Sequence, residues 1–105
     1  MNYECIIYEK KNHQAWIKLN RPKVLNAMNH QLWLDFQSAM QDAGHDSNIR
    51  VLIVTGQGRA FSTGADLKES KTRSIEDYRK YLEALQATTR NILRFDKPII
   101  AAING

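Results

Sequence analysis

The sequence predicts a mixed α/β fold, and three observations predict it. Two segments rich in β-branched and aromatic residues lie close together near the N-terminus. A continuous aliphatic run at Val51 to Val54 recurs as Ile99 to Ile103, and the intervening stretches carry apolar residues at helical spacing.

Tyr3 to Lys10 and Gln14 to Leu19, separated by Lys11, Asn12 and His13, read as a β-hairpin. Asn20-Arg21-Pro22 stops the second strand, because proline lacks the ladder donor, and the chain loops on through Lys23, Val24 and Leu25. From about Asn29 the apolar residues Leu32, Phe36, Met40 and Ala43 follow steps of four and three, with Gly44 as the expected stop of an amphipathic helix. Val51 to Val54 has the unbroken apolar character of a strand buried on both faces, as in a parallel sheet, and Thr55-Gly56-Gln57-Gly58 ends it. A short helix is expected near residues 65 to 70. Ser74 opens a second long helix, with Asp77 as a capping-box-like acid and Tyr78, Tyr81, Leu82, Leu85, Ile92 and Leu93 along its apolar face. Pro98 closes it, and Ile99 to Ile103 reads as another buried strand, which makes residues 51 to 103 a right-handed β-α-β crossover. A fully apolar strand followed only by Asn104-Gly105 leaves that strand uncovered, the expectation for a chain incomplete at its C-terminus.

Composition narrows the function classes. At 105 residues the chain is one domain at most; 43% hydrophobic and 25% charged residues are globular proportions, which excludes a disordered or collagen-like segment. The net charge of +4 has no block of like charges behind it, so it indicates neither nucleic acid nor membrane and suits an anionic small molecule as well. Cys5 has no partner for a disulfide or a metal site, which points to a reducing compartment. The first ten residues lack the roughly 7 to 15 apolar residues of a signal peptide, and no stretch approaches the roughly 20 of a membrane span. A cytoplasmic location is expected.

The segment with chemical promise is Phe61-Ser62-Thr63-Gly64-Ala65-Asp66-Leu67-Lys68, which follows a buried strand and its glycine-rich turn. At a helix N-terminus the backbone amides lack partners, so the Ala65 N–H could stabilise an oxyanion while Gly64 lets a substrate approach the backbone. The local pattern alone favours a plainer reading, a glycine turn with Asp66 capping a helix. Lys68, Lys71 and Arg73, with Lys23, could meet a phosphorylated ligand if the loops converge, or form a solvated basic edge. Two other motifs are rejected. Gly56-Gln57-Gly58-Arg59-Ala60-Phe61 has Phe61 where a dinucleotide fingerprint needs its third glycine. Ala60-Phe61-Ser62-Thr63-Gly64 is near a serine-hydrolase elbow, but His13, His30 and His45 all precede Ser62, so it reads as a turn residue. The histidines are expected at the surface, and Trp16, Trp33, Tyr78 and Tyr81 as core or interface aromatics.

Asn20-Arg21-Pro22 with Leu25-Asn26-Ala27-Met28, then Val51 to Lys68, then Lys97 to Gly105 together resemble the enoyl-CoA hydratase/isomerase (crotonase) superfamily in order and spacing, across essentially the whole chain. The resemblance implies a crotonase-like spiral of β-β-α turns, of which residues 1–105 would be the truncated N-terminal part of a single domain, and a homo-oligomer, trimer or dimer of trimers. It implies that the backbone N–H of Ala65 is one of two donors to a thioester carbonyl oxygen. It also implies that Lys23, Val24 and Leu25 and the stretch Thr63, Gly64, Ala65, Asp66, Leu67 and Lys68 border coenzyme A. The second donor and two catalytic glutamates would lie beyond Gly105, so the chain alone is expected to be inactive. No metal or redox cofactor is implied, and the coenzyme A thioester is the substrate. For the parent protein the implied reaction is hydration of a 2-enoyl-CoA. An enoyl-CoA isomerase or another acyl-CoA lyase or hydrolase stays open, as does a non-catalytic acyl-CoA-binding or oligomerisation piece.

Overall fold

A computed structural model describes residues 2–105. The strands β1 (Ile6–Lys11) and β2 (Gln14–Leu19) form the expected antiparallel hairpin, paired from Ile6 with Leu19 to Lys11 with Gln14. The connection is tighter than expected: Lys11 belongs to the strand, and Asn12 and His13 alone turn the chain at φ 50° and 67°. Two consecutive positive φ values match the right-handed twist of the flanking strands, and asparagine tolerates that region. Tyr3 to Cys5 lies outside the strand.

Pro22–Val24 closes one turn of 3-10 helix, and the chain enters α1 (His30–His45) through Asn29, whose side chain accepts the Leu32 amide. Gly44 does not stop this helix. It lies inside it, and the helix ends at Asp46 in an extended conformation. The Ala43 carbonyl instead accepts from the Lys97 ammonium at 2.7 Å, as does the Asp46 carbonyl, which also takes the Ile49 amide, so a cation 50-odd residues away in the chain does what a C-terminal glycine does elsewhere.

β3 (Val51–Gly56) pairs parallel with β2 on one side and on the other with β4 (Ile99–Ala102), giving a four-stranded sheet in the order β1-β2-β3-β4. Leu52, Ile53 and Val54 are all buried, as expected of a strand between neighbours. β4 ends at Ala102, one residue short of the expected strand, and it is uncovered as the sequence implied, with Ile100 and Ile103 51% and 71% exposed. It is an edge strand, paired on one side only, and aliphatic composition alone cannot distinguish a strand that has a covering layer from one that needs it.

One face of the sheet carries Ile6, Ala15, Ile17, Leu19, Leu52 and Val54, and α1 covers it with Leu32, Phe36, Ala39, Met40 and Ala43. Burying a side chain such as Leu32 or Met40 contributes about 1.5–3 kcal/mol, so this layer supplies most of the hydrophobic stabilisation. α2 (Leu67–Thr72) and α3 (Ile75–Arg94) follow; Ser74 caps α3 by accepting the Asp77 amide, as the sequence implied. α3 packs on α1 and forms a third layer. It does so through Tyr81, Ala84 and Thr88, while Tyr78, Ile92 and Leu93 of the expected face are exposed. Small residues permit close approach, and the Gln37 side chain donates to the Ala84 carbonyl across the interface at 3.1 Å. Helical periodicity locates an apolar stripe but does not say which of two adjoining faces meets a partner. No helix among the described residues is long and apolar enough to cross a membrane.

Candidate substrate-binding site

The loop from Asn20 to Asn29 and the turn from Gly56 to Asp66 leave the sheet together and run side by side. Gly56 allows the close packing this needs: a Cβ there would sit 2.2 Å from the Ala60 carbonyl oxygen and 2.6 Å from the Phe61 Cα. Asn104 secures the start of the turn, accepting from the Gly56 amide at 3.1 Å and donating to the carbonyls of Gly56 and Gly58.

Asn26 joins the two loops. Its side chain is fully buried, accepts the Arg21 amide at 2.7 Å and donates to the carbonyls of Gln57 and Ala60 at 3.0 and 2.8 Å. Its backbone carries a second link: Ser62 Oγ donates to the Asn26 carbonyl at 2.8 Å and accepts the Gly64 amide at 3.1 Å. Ser62 is thus a turn residue, as the sequence suggested, its hydroxyl accepting within the turn and donating to the neighbouring loop.

Gly64 sits at φ +101°, a conformation that side-chain-bearing residues rarely adopt, and open space lies where a Cβ would stand. The next residue forms an isolated parallel bridge with Met28. Its two hydrogen bonds use the flanking groups: the Met28 amide donates to the Gly64 carbonyl at 2.7 Å, and the Asp66 amide donates to the Met28 carbonyl at 3.1 Å. In such a parallel bridge the central residue's own N–H and C=O point to the opposite side. Ala65 is exposed, and its N–H has no hydrogen-bond acceptor among the described residues.

This origin of the free amide differs from the one expected. The short helix begins at Leu67, two residues later than anticipated, so Ala65 precedes it and is not one of its orphaned end donors. Those donors at Lys68 and Glu69 are already taken by Asp66 Oδ1, at 3.0 and 3.1 Å. The plainer reading of Asp66 as a helix cap is therefore correct, while the Ala65 amide is left free by the bridge. Asp66 Oδ2 accepts from Arg21 at 3.0 Å, with only 12% and 20% of the two side chains exposed. Burial pushes the Asp66 carboxyl up, but the Glu69 amide, the Arg21 guanidinium and the Lys68 amide outweigh it and hold the group below the ordinary carboxylate range.

An open depression of about 440 Å³ lies in front of this backbone, lined by Ala27, Thr63, Ala65, Asp66, Leu67 and Lys68. Five of the residues expected around coenzyme A are brought together there. Gly64 connects them, and Leu25 adjoins them, its carbonyl accepting the Thr63 amide at 3.2 Å. Lys23 and Val24 are exposed on the neighbouring 3-10 turn and do not line the depression. Lys68 and Lys71 are exposed on α2, but Arg73 is not free for a phosphate. Its guanidinium pairs with Glu69 at 2.6 Å and stacks 3.9 Å from the Tyr81 ring centre, with 4% of the side chain exposed. His13 and His45 are exposed and His30 is partly buried. Asn26, Arg21 and Met28 have positioning duties that composition does not signal, because their partners are brought close only by the turn.

The profile of the family described as Enoyl-CoA hydratase/isomerase matches residues 9–105. The chain is 37% identical to the crotonyl-CoA hydratase of Syntrophomonas wolfei, across all of this chain and 41% of that protein. It is 33% identical to the short-chain-enoyl-CoA hydratase of Clostridium acetobutylicum, again over all of this chain and 41% of the relative. Among solved structures, an enoyl-CoA hydratase/isomerase from Xanthobacter autotrophicus superimposes with a TM-score of 0.89 at 34% identity, covering 99% of this chain and 40% of that one. The chain thus spans about two-fifths of the length of the curated relatives it matches.

Proposed function

This chain belongs to the enoyl-CoA hydratase/isomerase family and has its crotonase fold, and from that membership we propose that the whole protein hydrates 2-enoyl-CoA thioesters, with the Ala65 amide donating to the thioester carbonyl oxygen. The observation that carries the reading is the geometry of that amide: unbonded, exposed, and fixed from behind by a bridge whose own hydrogen bonds are complete.

The chemistry follows from charge development. When water adds to the β-carbon of a conjugated thioester, electron density moves onto the carbonyl oxygen and an enolate forms. A pre-aimed N–H stabilises that oxygen more strongly as its charge grows, and a single donor of this kind lowers the barrier by about 3–4 kcal/mol. Because the amide needs no reorganisation, its strength depends on the rigidity of the backbone behind it. The open space over Gly64 lets the thioester carbon skeleton reach this backbone. Asp66 lies beside the depression but is unsuited to proton transfer, since its carboxylate is held ionised and all its hydrogen bonds serve Arg21 and the start of α2. Lys68 supplies positive charge at the rim for the phosphates of coenzyme A, and Lys23 and Lys71 extend it.

Loss of the conjugated thioester absorbance, followed with the whole protein and a short 2-enoyl-CoA, tests the reaction. Formation of the 3-hydroxyacyl-CoA is expected. An isomerised enoyl-CoA or free coenzyme A as the sole product would assign the protein to the isomerase or hydrolase chemistry of the same family instead. Assembly of the whole protein as a trimer or dimer of trimers is expected from the same resemblance and is read by light scattering.

A further inference from the structure

We propose that the ion pair between Arg21 and Asp66 is a positioning device that fixes the direction of the Ala65 N–H, a role that rests on the reading of that amide as the carbonyl donor. The pair joins side chains 45 residues apart in the sequence and holds the two ends of the Met28–Ala65 bridge. On one side, Arg21 Nη1 donates to the Ala27 carbonyl at 2.5 Å, immediately before Met28. On the other, the same nitrogen donates at 3.0 Å to the carboxylate of Asp66, immediately after Ala65. One guanidinium nitrogen therefore spans the residue before one bridge partner and the residue after the other.

The bridge needs such a brace. It consists of two hydrogen bonds with no ladder above or below, and Gly64 on its upstream side is the residue with the widest backbone freedom. Rotation of the Gly64–Ala65 peptide would turn the N–H away from the depression, and on that peptide it is opposed by the hydrogen bond from the Met28 amide to the Gly64 carbonyl at 2.7 Å, which holds only while the two strands of the bridge stay in register. Asp66 resists this from downstream. Its Oδ1 is fixed by the amides of Lys68 and Glu69 and its Oδ2 by Arg21, so the carboxylate is held at both oxygens and Asp66, whose own amide donates to the Met28 carbonyl, keeps the downstream end of the bridge in place. With both side chains largely shielded, the attraction is less screened than in an exposed pair. Arg21 itself is set by the Asn26 side chain, which accepts its backbone amide, so the device is anchored in the buried part of the loop.

The test separates positioning from binding. An arylacryloyl-CoA thioester absorbs at longer wavelength when its carbonyl accepts a hydrogen bond, so the shift on binding reports the donor, while the affinity for coenzyme A alone reports the rest of the site. With the full chain, Arg21→Met and Asp66→Asn are each expected to lose roughly half or more of the wild-type shift. Coenzyme A affinity of Arg21→Met is expected to stay within about threefold of wild type. Asp66→Asn keeps the size of the side chain and an oxygen for the α2 amides, so it decides the matter even if Arg21→Met does not fold. A full wild-type shift in either folded variant overturns the proposal, as does a parallel loss of shift and coenzyme A affinity in Arg21→Met, which would mark the pair as merely structural. A bound ester that shows no shift on the wild-type protein refutes the reading of Ala65 itself, and the positioning role with it.

Discussion

Replacing Asn26 by alanine removes the side chain that ties the loop before α1 to the turn after β3, and the cost can be worked from its three hydrogen bonds. The group is fully buried, so the Arg21 amide that it accepts at 2.7 Å is left without its acceptor, and the carbonyls of Gln57 and Ala60 lose their donor. A buried polar group stranded in this way costs about 1–3 kcal/mol. Asn26 also sits at φ 57°, where alanine is less tolerated than asparagine, which adds about 1 kcal/mol. Together the loss is about 2–4 kcal/mol, against a total of roughly 5–15 kcal/mol for a typical domain. The assay is urea unfolding followed by circular dichroism, in which the midpoint should fall while the slope is unchanged. Asn26→Gly separates the two contributions, because glycine accepts the positive φ freely; it should recover up to about 1 kcal/mol of the loss and no more. An alanine variant within about 0.5 kcal/mol of wild type would refute the reasoning, since surface-like tolerance is incompatible with three buried hydrogen bonds.

Gly56→Ala places a methyl group 2.2 Å from the Ala60 carbonyl oxygen, so the turn must move; a loss of about 3 kcal/mol is expected by the same unfolding measurement, and a loss below about 1 would contradict the packing. Gly64→Ala meets no steric obstacle and pays only for its φ of +101°, about 1–2 kcal/mol, yet it should diminish the spectral shift of a bound conjugated thioester in titration. Lys97→Met leaves the Ala43 carbonyl near the end of α1 without its donor and should cost about 1–2 kcal/mol, detected as faster hydrogen exchange at the end of that helix. Stability should also fall at both extremes of pH. Lys10 lowers the carboxyl pKa of Asp42 and Asp46, and hydrogen bonds to Glu69 and Arg21 outweigh burial at Asp66. In acid the unfolded chain therefore takes up protons that the native one refuses, so this stabilisation is present above about pH 4 and is lost as the pH falls through the lower native values. Burial and the Asp42 hydrogen bond raise the Tyr8 hydroxyl, and above about pH 10 the native chain keeps a proton that the unfolded chain releases, so stability declines with rising pH. Thermal melts across the pH range check both limbs, and a flat profile on either side would contradict the corresponding contacts.

Much of this protein was legible in its sequence because local rules decide it. β-Branched and aromatic residues marked β1 and β2, helical spacing marked α1, the unbroken aliphatic run marked β3 as a buried parallel strand, and Ser74 with Asp77 marked the start of α3. The glycine-rich segment announced where a backbone could be laid open. What the tertiary structure decided is how that backbone is held. The Ala65 amide is free because Met28, from a loop 37 positions earlier, bonds to the residues on either side of it, and no property of the segment itself foretells that bridge. The same holds for Lys97 ending α1 in place of Gly44, for Arg73 turning inward onto Tyr81, and for α3 choosing its small-residue face. Propensity and periodicity act over a few residues, whereas a hydrogen bond or a packed face needs a partner whose distance is fixed only after the chain has closed on itself.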